Sequence, residues 1–317
     1  MSWTISTTDA GKRLDLFLVE QGAGSSRSAI QKDIKAGLVK VNEHKATVHR
    51  FLKEGDVITY HATPITQQVS KKPSVNDRPS TINEVPAPII IAENDDWLVI
   101  DKPTGLLVHP DKTSQEPTLV DWLIERYPSV VKVGEDPIRP GIVHRLDKEV
   151  SGLMVVAKTQ GAYEDLGQQF RGRTTIKKYL ALVHGVIERD EGDIKFRIAR
   201  SSTAARMAAR PAHEEDGKAA WTHYHVLERF RGATLVELEI LSGRTHQIRA
   251  HLHALGRPVI GDTLYSLKKT DRHVKAPRLM LQSIHLEFSD PKTREKQNFS
   301  LKPNPAFDQL INEFRIS

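Results

Sequence analysis

The chain has 317 residues, 38% hydrophobic and 27% charged, with a net charge of +6 and no cysteine. That is the composition of a soluble globular protein of about two domains. It excludes disulfides, thiolate catalysis, cysteine-ligated zinc and iron–sulfur clusters, and it favours polyanionic partners.

No apolar run approaches the roughly 20 residues that span a bilayer. Met1 to Ile5 has neither the basic nor the apolar region of a secretory signal. A cytoplasmic location without membrane contact is therefore expected.

The first predicted unit runs over residues 1–61. Leu14, Phe17 and Leu18 recur at helical spacing, and Gly22 and Gly24 end that helix. Ser25-Ser26 is the predicted cap of a second helix, with Ala29, Ile30 and Ile34 inward and Gly37 past its end. Strands are predicted at Leu38 to Val41 and Val57 to Tyr60. Arg27, Lys32, Lys35, Lys40, Lys45, Arg50 and Lys53 oppose only Asp33 and Glu43 between Arg27 and Lys53, a one-sided basic surface of the kind that meets phosphates. Residues 62–88 are punctuated by Pro64, Pro73, Pro79, Pro86 and Pro88, and read as a flexible linker.

Residues 89–317 form the larger predicted domain. A hairpin is expected from Ile89 to Ile100, then a helix capped by Thr118 with Leu119, Leu123 and Tyr127 inward. Next comes Gly141-Ile142-Val143-His144-Arg145-Leu146-Asp147-Lys148-Glu149-Val150-Ser151-Gly152-Leu153, a charged cluster between two apolar runs that read as short strands. A helix from Gln160 carries Leu166 and Phe170 and ends at Gly172. A strand follows from Lys178 to Val183. Lys195, Arg197, Arg200, Arg206 and Arg210 lie in a stretch without acids that reads as a basic loop. Strands are predicted at Trp221 to Leu227 and Leu235 to Leu241. A helix opened by Arg244 has Ile248, Leu252 and Leu255 on its core face. Asn304 caps a terminal helix carrying Phe307, Leu310, Ile311 and Phe314. Tight turns between strands point to an α+β fold on a mixed, largely antiparallel sheet.

Several chemistries lack a pattern. There is no His-Glu-x-x-His, no phosphate-cradling Gly-x-x-x-x-Gly-Lys and no Gly-x-Gly-x-x-Gly. Asp147 and Glu149 sit in a predicted turn, where strand alternation does not fix their relative directions, whereas a glycosidase needs its carboxyls facing each other across the sugar. Asp147, Tyr179 and Arg244 remain. An arginine at a helix start is disfavoured by the dipole unless an anion is near, and Asp147 is the expected partner. Such a pair keeps an aspartate charged and nucleophilic.

Two resemblances bear on this pattern. Arg13-Leu14-Asp15, Ser26-Arg27-Ser28, Gly37 to Asn42 and Gly55-Asp56 resemble the ribosomal-protein-S-four-like RNA-binding module. His144-Arg145-Leu146-Asp147 with Ser151-Gly152-Leu153 resembles the catalytic motif of the RluA-type pseudouridine synthases. Lys177 to Gly185, Gly243 to Arg249, and Asp101-Lys102-Pro103 with Gly105 to Pro110 are similar to that family's other motifs, in the same order.

The resemblance implies an isomerase that needs no cofactor or metal and converts uridine to pseudouridine in RNA, with large-subunit ribosomal RNA as the expected substrate and transfer RNA as the alternative. Asp147 would be the nucleophile, Tyr179 would line the base pocket and Arg244 would hold Asp147. Arg145 would fill the place of the flipped uridine. Arg27, Lys32, Lys35, Arg197, Arg200 and Arg206 would contact RNA. A monomer is expected. Val150 departs from the family's usual threonine, so the rival expectation is an RNA-binding or ribosome-assembly protein that has lost catalysis.

Overall fold

The computed structural model describes residues 1–23, 27–48, 50–61, 85–110, 116–201, 206–266, 274 and 276–316, without the side chains of 27–29, 32 and 316. The predicted cap at Ser25-Ser26 and the predicted linker up to residue 84 lie outside the described residues. The chain divides into two compact units, Met1–Glu84 with Pro110–Glu116, and Val85–His109 with Pro117–Ser317.

In the first unit, β1 (Ser2–Thr4), β2 (Val39–Val41), β3 (His44–Lys45) and β4 (Val57–Tyr60) form a sheet in the order β1-β4-β2-β3. Helices α1 (Leu14–Glu20) and α2 (Arg27–Lys35) supply Leu14, Phe17, Leu18, Ile30 and Ile34 to one buried cluster with Val39, Val41 and Ile58. Helical and strand periodicities therefore meet in a single core. The basic residues of this stretch divide in use. Lys35 is exposed, whereas Arg50 is spent on an ion pair with Asp56 at 3.2 Å.

The second unit is α+β. Its main sheet runs β5 (Ile89–Glu93), β6 (Trp97–Lys102), β7 (Ser151–Ala157), β15, β8 (Ile176–His184), β14, β13, β9 (Glu191–Ile194), with β16 paired to β15. Here β13 is Thr222–Phe230, β14 Ala233–Ile240, β15 Leu281–Ser289 and β16 Lys296–Ser300. The named pairs are antiparallel except β7 with β15. Every residue of β7 is buried, which explains why it reads as an unbroken apolar run. Helices α3 (Leu119–Arg126), α4 (Gln160–Gly172), α5 (Gln247–Ala254) and α6 (Pro305–Ile316) complete the unit with a 3-10 turn at Pro128–Lys132.

Four local expectations change. The basic loop of 195–210 contains β10 (Arg197–Arg200) and β11 (Met207–Arg210), which pair with β12 (Lys218–Ala219) in a small separate sheet. Ile142-Val143 is not a strand; only Ile142 makes a bridge, to Val156. Leu255, expected inside, caps α5 and is 40% exposed. Tyr127 caps α3 and is half-buried.

Candidate active site and RNA interface

Asp147 lies in the irregular segment before β7. Three tethers hold that segment from the turn after β6. The Lys102 ammonium, fully buried, donates to the carbonyls of Pro103, Leu106 and Lys148 at 2.9, 2.8 and 3.2 Å. The Gly105 N–H reaches the Lys148 carbonyl at 2.8 Å, and the Thr104 hydroxyl reaches that of Glu149 at 2.7 Å. Burial pulls the Lys102 pKa down to about 7, although Asp147 and Glu149 oppose the shift.

His144 anchors the other end. Its Nε2 accepts from the Val155 N–H at 3.0 Å, which places the ring proton on Nδ1. The ring stacks on Phe170 with centroids 4.3 Å apart. Burial, with help from Lys177, lowers its pKa to about 3, so the imidazole stays neutral.

The cation facing Asp147 is Arg249, not Arg244. Arg249 Nη1 lies 3.3 Å from Asp147 Oδ2, and Nε and Nη2 fork onto Asp262 at 2.7 and 2.8 Å. Asp262 Oδ1 also accepts the N–H groups of Leu264 and Tyr265. The fork is thereby fixed, and its third arm points at Asp147. Burial opposes the charge on Arg249, but Asp262 and Asp147 outweigh it and raise the pKa. His246 Nε2 approaches Asp147 at 3.8 Å.

Arg244 is displaced for a local reason. His246 takes a left-handed φ of 52° and α5 begins only at Gln247. Arg244 therefore precedes the helix, and its Nε donates to the Ala219 carbonyl at 3.4 Å. Within α5 the fully inward positions fall on Gln247 to Leu252, so Arg249 enters the core side. The sequence carried one usable signal for this: an arginine at a core-facing helical position beside Ile248 and Leu252.

A pocket of about 80 Å³ opens onto Asp147, with Tyr179, Arg145, Arg244, Val150 and Leu281 in its wall. Tyr179 is 5% exposed and stands on β8 opposite Leu238 and Ser283. Burial, then the charge of Asp147, pushes its phenol pKa well up. Val150 is buried and its N–H closes a turn onto the Asp147 carbonyl at 3.2 Å. An apolar residue fits that wall without disturbing Asp147.

A cleft of about 580 Å³ shares Arg145, Tyr179, Ile240, Gly243 and Arg244 with this pocket. Arg139, Arg171, Arg173, Lys177 and two histidines, His109 and His144, also line it, and among the described residues no carboxylate does. Such a surface attracts a polyanion. Arg145 is exposed and its Nη1 lies 2.7 Å from His109 Nε2. Lys177 is buried over the Phe170 ring, and burial, then Arg173, lowers its pKa to about 8.

The structure brings together Asp147, Tyr179, Arg145 and Arg244. It does not bring Arg197, Arg200 and Arg206 into either lining. Arg197 is tied to the carbonyls of Glu215, Asp216 and Gly217. Arg206 donates to the Leu264 carbonyl and lies over the Tyr265 ring. Arg200 is exposed. Arg27 and Lys32 lie on α2, but their side chains are outside the described residues. Arg139, Arg171, Arg173 and Lys177 were missed because they come from separate segments.

Residues 96–254 match the family model described as RNA pseudouridylate synthase. The chain belongs to this family. It is therefore an isomerase that converts uridine in RNA to pseudouridine. Residues 12–58 match the S4 domain model. The chain is 35% identical over 313 residues to the uncharacterized RNA pseudouridine synthase YlyB of Bacillus subtilis, covering 98% of this chain and 97% of that one. It is 37% identical over 293 residues to the ribosomal large subunit pseudouridine synthase D of Nitrosomonas europaea, covering 91% and 80%. Among solved structures, human RNA pseudouridylate synthase domain containing 1 aligns with a TM-score of 0.58 at 27% identity, covering 75% of this chain and 98% of that one. The synthase family, the α+β fold and the S4 module agree with the sequence reading.

Among the described residues no helix is long and apolar enough to cross a membrane.

Proposed function

We propose that this synthase isomerises uridine in large-subunit ribosomal RNA, with Asp147 as nucleophile on a uridine flipped out of its stack. The supporting observation is the Asp147–Arg249 pair at 3.3 Å, opening onto a small pocket beside a cleft lined by cations. The relatives named as large-subunit enzymes support the choice of substrate.

Asp147 attacks the nucleoside at the base or at the ribose while the C–N bond breaks. The detached uracil rotates and rebonds through C5 to the ribose; the bond to Asp147 breaks and the carboxylate is regenerated, the C5 proton passes to solvent and N1 takes one up. Arg249, rather than Arg244, supplies the counter-charge that a half-buried nucleophilic carboxylate needs. Tyr179 lines the pocket as a neutral phenol, the form its burial favours. Arg145 fills the space the uridine leaves, which offsets an unstacking cost of a few kcal/mol. Arg244 contacts the RNA.

Residues 1–61 act as an RNA-gripping domain through Arg27, Lys32 and Lys35. Residues 62–88 connect it to the catalytic domain of 89–317. Arg197, Arg200 and Arg206 serve as outer RNA contacts. The protein works as a cytoplasmic monomer.

Tritium release from RNA labelled at uridine C5 tests the mechanism. Asp147→Asn is expected to release none above background; turnover at the wild-type rate would overturn the assignment.

A further inference from the structure

The cation-lined cleft does not end at the reacting pocket. Arg173 and Ser242 line it and also line a further cavity of about 240 Å³, floored by Phe196, Ala219, Ala220 and Trp221. A largely apolar recess therefore adjoins the basic cleft that borders the Asp147 pocket.

Trp221 is 37% exposed, one of few large apolar side chains on the described surface. It is nevertheless fixed. Its indole N–H donates to Asp193 at 2.9 Å. Its backbone N–H donates to Ser242 Oγ at 3.1 Å, and Ser242 donates in turn to Gln247 Oε1 at 2.8 Å. Gln247 closes the ring by donating to the Trp221 carbonyl at 3.0 Å. The indole is thus positioned by the same turn and helix that carry Arg244 and Arg249. The Lys195 ammonium lies 4.2 Å from the ring centroid, pairs with Asp193 at 3.1 Å, and is itself exposed. A π-face that holds an exposed, replaceable cation also takes a planar base.

Arg173 joins the two spaces. It adopts a left-handed φ of 59° at the end of α4, an arrangement unfavourable for a residue with a side chain. Among the described residues it has no carboxylate partner. Its guanidinium is thus available to an anion at the mouth of the recess.

We propose that the recess floored by Trp221 is a second nucleotide subsite, where a base of the RNA flanking the reacting uridine stacks on the indole and its phosphate sits on Arg173. The assignment rests on the reading of the protein as an RNA isomerase. An exposed apolar shelf with a cation at its edge is the arrangement single-stranded RNA requires: the ring binds any base and the cation binds the backbone. Displacing Lys195 from the ring frees its charge for the same strand.

The test is binding of a fluorescent oligouridylate decamer to the full chain over a range of salt concentrations. Trp221→Ala is expected to weaken binding about fivefold or more, the lower bound for losing one stacked base. The slope of log Kd against log salt stays as in wild type, because no phosphate contact is removed. Trp221→Phe, which keeps an aromatic face, is expected to bind within about twofold of wild type. Arg173→Gln is expected to flatten the slope by about 0.7, the value for one phosphate on a single strand. Wild-type affinity in Trp221→Ala overturns the subsite, and so does a slope change there equal to that of Arg173→Gln. Pseudouridine formation by the wild-type chain on large-subunit ribosomal RNA, measured in parallel, separates the two readings. No product there would strike the reaction and leave the stacking result standing.

Discussion

Arg249 reaches Asp262 through two hydrogen bonds of 2.7 and 2.8 Å and turns its remaining arm on Asp147 at 3.3 Å. Only a guanidinium has donors in a rigid fork that serves both carboxylates at once. Arg249→Lys keeps the charge but loses the fork. It is expected to lower kcat by about 100-fold, the scale for removing one preorganised stabilising donor. Arg249→Ala additionally leaves Asp262 buried without its cation, at about 3–5 kcal/mol of stability. Arg244→Gln instead raises KM for RNA and flattens its salt dependence. Steady-state kinetics and denaturant melts on the three variants check the division; a larger kcat loss at Arg244 than at Arg249 would reverse it.

The buried Lys102 sets two effects against each other. Its pKa of about 7, against about 10.4 when exposed, corresponds to about 4–5 kcal/mol of cost for the charged form. Lys102→Met removes that cost but leaves the Pro103 and Leu106 carbonyls without a donor, at about 1–3 kcal/mol each, while the Lys148 carbonyl keeps the Gly105 N–H. The net change in stability is therefore expected to be small, within about 2 kcal/mol, whereas kcat falls about tenfold or more as the Asp147 segment loses one of its three tethers. Between pH 7 and 10 the unfolded chain keeps the lysine proton and the folded chain has released it. Wild-type stability thus gains up to about 1.4 kcal/mol per pH unit from this residue as pH rises through that window. Chemical denaturation at pH 7, 8 and 9 should show that contribution missing from Lys102→Met.

Lys177 is expected to make RNA binding sensitive to pH. Its pKa of about 8 means the ammonium is largely present at pH 7 and largely absent at pH 9. A phosphate in the cleft favours the charged form, so binding above pH 8 requires proton uptake. Affinity for RNA is expected to fall by up to about tenfold per pH unit above 8, and Lys177→Gln is expected to bind more weakly with a flatter profile. Anisotropy titrations at pH 7, 8 and 9 measure it; equal slopes in both proteins would exclude the role.

Gly152 and Gly161 give opposite expectations for the same substitution. A Cβ on Gly152, at φ +115°, would stand 2.1 Å from the Ser283 carbonyl oxygen. Gly152→Ala must therefore part β7 from β15 and is expected to cost several kcal/mol. At Gly161, in α4, a methyl group would meet open space, with no neighbouring atom within 4 Å. Gly161→Ala is expected to stabilise by about 0.5–1 kcal/mol. Thermal melts of the two variants should move in opposite directions.

The sequence was most readable where chemistry and periodicity are local. The run from Ser151 to Ala157 is apolar because β7 is buried along its whole length. Asp147 and Tyr179 stand out in short motifs and do share one pocket. The Arg244 expectation failed because helix periodicity does not reveal a left-handed residue at position 246, which delays the helix to Gln247. Arg249 and Asp262 are thirteen positions apart, and only the turn after α5 brings them face to face. The cations of the cleft come from α4, β8 and two irregular segments, so no single window contains the surface they make. Trp221 passed as the first residue of a strand, since stacking availability depends on exposure rather than on pattern.

The linkage of Lys102, Asp147, Arg249 and Asp262 also bears on synthesis. The Asp147–Arg249 bond closes a separation of 102 positions, and β15, which lies between β7 and β8, is made after every other strand of the main sheet except β16. A nascent polypeptide on the ribosome therefore cannot assemble the Asp147–Arg249–Asp262 set until Asp262 has emerged, and cannot complete the main sheet until Ser300 has. Folding of the second unit waits on its last strands, as expected for a topology rich in distant pairings. With Asp147 read as the nucleophile, a chain cut short before Asp262 is expected to be inactive, because the carboxylate would lack the arginine fork that faces it.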